Sequence, residues 1–185
     1  PSLPAAPAAG ADDPMVNSTL HAVAIAARAP DRPVVFMAIG FETTTPPTAV
    51  AIRQAEALGL TNFSVFCNHV LTPPAIAAIL GEGAAPLDGI VGPAHVSTVI
   101  GAAPYDFVAA RHRVPVAVAG FEPLDVMQAV LMLLRQVNQG RAAVEVQYTR
   151  AVTAEGNRKA KALVDAVFEP RDSFEWRGLG ALPGS

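Results

Sequence analysis

PVVFMAIGFETTTPP, residues 33 to 47, is the stretch whose reading decides the fold of this chain of 185 residues. Val34 to Ile39 is an unbroken apolar run between Pro33 and Gly40, the pattern of a strand buried on both faces. At Gly40 the chemistry changes. A residue without a side chain permits a tight turn, Glu42 comes next, and Thr43, Thr44 and Thr45 offer oxygens to cap a helix that Pro46 and Pro47 open and that runs to Leu58. A carboxylate therefore stands at the carboxyl end of a buried strand, where open α/β sheets hold their functional groups.

The design recurs downstream. Val116 to Ala119 is a second buried strand, and Gly120-Phe121-Glu122-Pro123 repeats the Gly-Phe-Glu turn ahead of another helix. Ile90 and Val91 lead into Gly92-Pro93-Ala94-His95-Val96-Ser97, where a histidine in a loop replaces the carboxylate and Ser97 can cap the next helix. If the strands are parallel neighbours, Glu42, His95 and Glu122 converge on one rim.

Between these points strands and helices alternate. Ser18 caps a helix to about Arg28 with Leu20, Val23, Ala24 and Ala27 on one face. Asn62 to Cys67 reads as a strand, Asn68 to Thr72 as a loop, Pro73 to Leu80 and Tyr105 to Arg111 as helices, and Val144 to Tyr148 as the last strand. Leu124 to Asn138 is apolar around most of its circumference and should be the best-buried helix. Ala154 to Phe168 reads as amphipathic, with Lys159 and Lys161 on its wet side. The alternation predicts an α/β fold, an open and mostly parallel sheet with helices on both faces. Residues 15–150 form its α/β domain, and 151–185 a helix with a glycine-rich extension suited to packing on a further domain. Residues 1–14, rich in Pro and Ala without periodicity, are expected to be mobile or extraneous, and the start on Pro1 reads as a piece of something longer.

Composition narrows the function. A net charge of −3 with few basic clusters argues against a nucleic-acid surface. No apolar run is long enough to span a membrane, because Glu122, Asp125 and Gln128 interrupt the richest region, and the start lacks the pattern of a signal peptide. The single cysteine, Cys67, cannot form an internal disulfide, which fits a reducing, cytoplasmic setting. There is no G-x-G-x-x-G after a strand, no Walker loop and no G-x-S-x-G elbow.

Each candidate has a plain alternative. Glu42 and Glu122 precede helices, where a carboxylate is favoured by about 0.3–1 kcal/mol from the helix dipole alone. Their repetition in one turn motif is what favours a site. Phe41 and Phe121 read as anchors of those turns in the core. His95 can be a ligand, a proton carrier or a hydrogen-bond partner, and its strand-end position favours the site. Cys67 and His69 fall on one side of an extended backbone, yet Cys-x-His alone is a weak metal signal and no metal is assigned to it. The expected site is therefore Glu42, His95 and Glu122 in the chemical roles, in a cleft lined by Gly40, Phe41, Thr43, Thr44, His69, Pro93, Ser97, Gly120 and Phe121.

Taken together, GFETT (residues 40–44), PAHVS (residues 93–97) running on to Gly101, and GFEP (residues 120–123) resemble the signatures of the hydrogenase maturation protein HypD family. NFSV with NHV, QYTR with EGN, and FEWRG agree in the same order, so the resemblance covers about Val16 to Ser185. It implies a scaffold in building the Fe(CN)2CO part of the [NiFe]-hydrogenase centre, acting with an iron-carrying HypC-like chaperone and a HypE-like cyanide donor. It also implies iron and a [4Fe-4S] cluster in intact relatives, held by cysteines that this chain lacks, so none is expected to be bound here. The alternative is a small-molecule-binding α/β module of periplasmic-binding-protein type, using the same rim without catalysis.

Overall fold

The structure, a computed structural model, describes residues 14–81 and 86–185. In chain order it contains α1 (Thr19–Arg28), β1 (Val34–Gly40), α2 (Thr45–Ala57), β2 (Phe63–His69), α3 (Thr72–Gly81), β3 (Ile90–Pro93), α4 (Ala94–Ile100), a 3-10 turn (Ala103–Tyr105) and α5 (Asp106–His112). Next come β4 (Val116–Ala119), α6 (Pro123–Asn138), β5 (Val144–Val146), α7 (Arg158–Asp165), β6 (Ser173–Trp176) and β7 (Gly180–Pro183). The reading of residues 1–13 lies outside the described residues.

The alternation gives the expected α/β class with parallel, open sheets. β1 pairs with β2, and β3-β4-β5 form a second ladder, all parallel. The expected single sheet is thus divided, because among the described residues no ladder joins β2 to β3. A βα alternation fixes the direction of strands but not how many share one ladder.

The two apolar strands fare differently. β4 is buried at every residue. Val116 and Val118 meet Tyr105, Val108 and Val152 on one face, while Ala117 and Ala119 meet Ala129 and Leu133 on the other. Each buried valine there contributes about 1.5–3 kcal/mol. β1, read as buried on both faces, has only one covered. Helices α1 and α2 pack Val23, Ala51 and Ala55 towards Phe63 on that side, but Val35, Met37 and Ile39 are 62%, 49% and 70% exposed on the other.

Helix α6 corrects a second expectation. It packs on β4 through Ala129 and Leu133, with Asp125 and Gln136 also buried, but Leu124, Met127, Leu131 and Leu134 are exposed. A helix apolar all round offers two faces for burial, and the described chain covers one. Helix α1 is capped by Ser18 as expected, its Oγ accepting from the His21 N–H at 3.3 Å. It buries Ala22, Val23 and Ala26, however, and leaves Leu20 exposed. Helix α7 starts only after Asn157, whose side chain caps it by accepting from the Ala160 N–H. Gly156 cannot be helical there, with φ +70° and its backbone against Gly101. Lys161 is half-buried and donates to the Glu155 carbonyl at 3.2 Å in an exposed contact. The glycine-rich end forms an antiparallel hairpin, β6 with β7, where Gly178 and Gly180 supply the positive φ of the turn. Trp176 lies 6.1 Å, ring to ring, from Phe41 and ties the hairpin to the turn after β1.

Among the described residues no helix is long and apolar enough to cross a membrane.

Candidate functional site

The first turn is held by its threonines. Gly40 has φ +136°, and a Cβ there would fall 2.3 Å from Thr44 Oγ1, so only glycine fits. Thr44 and Thr45 both donate to the Phe41 carbonyl, at 2.9 and 3.3 Å, and Thr48 donates to the Thr44 carbonyl at 3.1 Å. Thr44 is the residue before α2 but makes no side-chain cap. The expected capping oxygens thus close the turn instead.

Glu42 is buried and caps a different helix from the one directly after it. Its Oε1 accepts the Thr72 N–H at 2.7 Å and its Oε2 accepts the Thr72 hydroxyl at 2.8 Å. Thr72 opens α3, so the carboxylate satisfies a first-turn amide across the fold, at the end of the helix where the dipole favours negative charge.

His69 ends β2 instead of lying in a loop. Its Nδ1 is 3.3 Å from Thr44 Oγ1 and its Nε2 is 2.9 Å from Thr48 Oγ1. Burial pushes its pKa below the ordinary value, against an opposing pull from the Gly40 backbone. A neutral imidazole has one N–H to give, so one threonine must turn its proton from the carbonyl to the ring.

The second cluster lies at the end of β3 and β4, which are neighbours. His95 sits in the first turn of α4, not in a loop, and its exposed ring packs 4.2 Å from that of Phe121. Phe41 and Phe121 are therefore not core anchors: both are exposed, one against Trp176 and the other against His95. Ser97 does not cap the helix. It is buried within α4, donates to the Pro93 carbonyl at 2.7 Å, and lies 3.5 Å from the Tyr105 hydroxyl.

Glu122 precedes α6 without capping it, its side chain 78% exposed and 3.6 Å from Arg150. Arg150 makes two bonds to Asp125, at 2.9 and 2.5 Å, and stacks 4.3 Å from the centre of the Tyr148 ring. Gln147 joins this network, donating to Asp125 Oδ1 at 3.0 Å and accepting the Gly120 N–H at 3.3 Å. The Arg150 guanidinium holds the Asp125 carboxyl down at about 2. A Cβ on Gly120 would meet Asp125 Oδ2 at 2.1 Å, so here glycine is required by close approach. Asp125, Gln147 and Arg150 were not among the expected site residues. The visible signal was an acid in the first turn of an otherwise apolar helix.

The expected residues thus fall into two groups. Gly40, Phe41, Glu42, Thr43, Thr44 and His69 stand at the end of β1 and β2, and Pro93, His95, Ser97, Gly120, Phe121 and Glu122 at the end of β3 and β4. All lie at or just after carboxyl ends of parallel strands, but among the described residues no hydrogen bond or ion pair joins Glu42 to His95 or Glu122. Tyr105 is buried beside Ser97 of the second group. Burial pushes its hydroxyl up to about 12, with the Ser97 contact opposing and the Glu42 charge adding to the rise. Beside Glu42 opens a cavity of about 550 Å³ whose walls include Cys67, His69, Lys161, Phe168 and Arg171. Among the described residues no three His, Cys, Asp or Glu side chains come together as a metal site.

A family model described as "HypD: Hydrogenase formation hypA family" matches residues 1–185, which takes in the first residues that the motifs alone did not place. The chain is 63% identical over 176 residues to the hydrogenase expression/formation protein HupD of Azotobacter chroococcum, covering 92% of this chain and 46% of that protein. It is 63% identical over 188 residues to the hydrogenase maturation factor HypD of Rhizobium leguminosarum, covering 98% and 49%. Against the Escherichia coli hydrogenase maturation factor HypD it is 42% identical over 184 residues, covering 100% and 49%. The chain spans about half the length of these relatives. The alternative of a periplasmic-binding-protein-type module finds no support in these matches.

Proposed function

Since the chain belongs to the HypD family of hydrogenase formation proteins, we propose that it forms part of a [NiFe]-hydrogenase maturation factor, a scaffold on which the Fe(CN)2CO unit is assembled. The observation that carries this reading is a family match across the whole chain, together with relatives named for hydrogenase maturation at 63% identity. The iron unit is cargo. A HypC-like chaperone that brings the iron and a HypE-like donor of cyanide are the partners, and the cytoplasm is the setting. The lone thiol of Cys67 suits a reducing compartment.

The rim at the end of β3 and β4 is the part of this chain that faces the cargo. Metal-bound cyanide presents nitrogen acceptors, and His95 and Arg150 supply N–H donors there while Glu122 supplies a carboxylate. Glu42 and His69 act from the neighbouring rim, Glu42 by fixing the start of α3 and His69 by closing the turn after β1. The [4Fe-4S] cluster implied for the family does not fit these residues. Such a cluster takes four thiolates as a rule, and the chain has one cysteine.

The test is a segment exchange. The matched half of the full-length Escherichia coli relative is replaced by this chain, and hydrogenase activity is measured in cells lacking their own copy. Restored activity that His95→Ala then removes is the expected result. A soluble, folded hybrid that yields no active hydrogenase would refute the reading for this chain.

A further inference from the structure

Phe121 and Glu122 are both exposed, so burial fixes the place of neither. Yet the ring of Phe121 lies 4.2 Å from that of His95, and the carboxylate of Glu122 lies 3.6 Å from Arg150. Exposed side chains that meet partners on either side take their positions from the backbone turn that carries them. That turn, Gly120 to Glu122, is gripped by two polar side chains.

Gln147 holds its start. The Gly120 N–H is a donor, so the amide oxygen of Gln147 must face it, at 3.3 Å, and the amide nitrogen must point elsewhere. It meets two acceptors, Asp125 Oδ1 at 3.0 Å and Gln128 Oε1 at 3.2 Å. Gln147 is itself placed by β4, because its N–H and that of Tyr148 both donate to the Val118 carbonyl, at 2.9 and 3.2 Å.

Asp125 holds the other end. It is buried in the first turn of α6, where an acid can reach back to the backbone N–H of the residue before the helix. Arg150 first, then Gln147 and the Glu122 backbone, favour its charged form. Its two oxygens take Nη1 and Nη2 of Arg150, and the half-exposed guanidinium also stacks 4.3 Å from the centre of the Tyr148 ring. A guanidinium has five N–H donors in a rigid fork, so once two are fixed on Asp125 the directions of the others are set.

We propose that Asp125 and Gln147 are the positioning residues of this rim, locking the Gly120–Glu122 turn and the Arg150 guanidinium into one unit so that His95 and Arg150 present their N–H donors to the cargo in a fixed arrangement. Neither positioning residue touches the cargo. The proposal rests on the reading of this rim as the face towards the iron unit, and it adds what holds that face in shape.

The test uses the full-length hybrid in which this chain replaces the matched half of the Escherichia coli relative. Gln147→Ala and Asp125→Asn are each expected to lower hydrogenase maturation by about 10- to 100-fold, the range for losing a group that orients a site. Two spectroscopic signals should move with them. In Asp125→Asn the order parameter of the Arg150 side-chain N–H should fall from about 0.8 to below about 0.6. In Gln147→Ala the ring-proton shifts of His95, set by the neighbouring Phe121 ring, should change. The double variant Asp125→Asn with Gln147→Glu exchanges donor for acceptor and keeps the net charge, and it should recover maturation to within about threefold of the unsubstituted hybrid, as coupled pairs do.

Full maturation by both single variants, with none from His95→Ala, would leave the rim reading standing and overturn the positioning role. Lost maturation without any change in Arg150 order or His95 shifts would overturn it as well. If the single variants unfold, the double variant decides: a recovered melting temperature without recovered maturation would make the pair merely structural. Normal maturation by His95→Ala would remove the rim reading and this proposal together.

Discussion

Glu42 and Thr72 meet through both carboxylate oxygens, at 2.7 Å to the backbone N–H and 2.8 Å to the hydroxyl, although they are 30 residues apart. The pair joins the turn after β1 to the start of α3. Thr72→Ala removes the hydroxyl bond, and Glu42→Gln removes the charge. Each is expected to cost about 0.5–2 kcal/mol, the range of helix-cap losses. Urea unfolding of the two single variants and the double variant should give a coupling of at least about 0.5 kcal/mol. Additive effects would mean that the pair does not hold the helix.

His69 makes stability depend on pH with a definite sign. Burial lowers its folded pKa below the ordinary 6.5, so the unfolded chain binds the proton more readily. The contribution is present in full above pH 6.5 and is lost as pH falls from there through the lowered folded value. Stability should therefore rise with pH across that window. His69→Gln should flatten the rise, as read from melting temperature between pH 5 and about 7.5. An unchanged slope in the variant would assign the dependence to another group.

The Asp125 carboxyl is held at about 2 by Arg150 first and then by Gln147. This lowered group favours the folded state above its ordinary 3.8, and the contribution disappears as pH falls from 3.8 through about 2. Arg150→Met should bring the Asp125 titration, followed by carboxyl NMR shifts, back up towards 3.8. A titration that stays near 2 would show that Gln147 and the helix start suffice.

Gly120 and Gly140 separate two reasons for glycine. At Gly120 a methyl would strike Asp125 and Tyr148, whereas at Gly140 it would meet nothing within 4 Å but the backbone has φ +61°. Gly140→Ala should cost about 1 kcal/mol from the left-handed backbone. Gly120→Ala should cost more, about 1–3 kcal/mol, because packed atoms must move. Equal losses in denaturant unfolding would contradict the close contact.

The parallel class and the buried strand β4 were legible because a short apolar run between Pro115 and Gly120 marks such a strand directly, as at Val116–Ala119. The division into two ladders was not, since pairing is a long-range choice that local pattern does not encode. Nor was the exposed face of β1: an apolar run says what could be buried, not what covers it. The two Gly-Phe-Glu turns looked alike in sequence and hold their acids oppositely, with Glu42 buried on Thr72 and Glu122 in solvent near Arg150. That difference depends on which helix start comes within reach. The hairpin at Ser173–Pro183 was hidden by its glycines, which suggested an extension although two of them make the turn.

Because Glu122 is exposed and caps nothing, Glu122→Gln in a full-length relative is expected to leave the melting temperature almost unchanged, within about 0.5 kcal/mol of stability, as exposed surface substitutions do. Hydrogenase maturation should nonetheless fall. Normal maturation with that variant would remove Glu122 from the site, and a large thermal loss would make it structural.

This chain, purified without oxygen, is expected to hold neither a [4Fe-4S] cluster nor a stable iron dicyanide unit. A cluster asks for four thiolates, and only Cys67 is present, exposed on β2. Iron that carries cyanide also prefers soft thiolate anchors, whereas Glu42 and Glu122 are hard oxygen donors, and Glu42 already has both oxygens engaged by Thr72. The nitrogens of His69 are similarly occupied by two threonines, so lending one to a metal would break the turn after β1. Metal analysis together with infrared spectra in the cyanide stretching region decides the matter. Iron in one-to-one amount, or a cyanide band that survives desalting, would mean that this half of the fold completes a site without further thiolates.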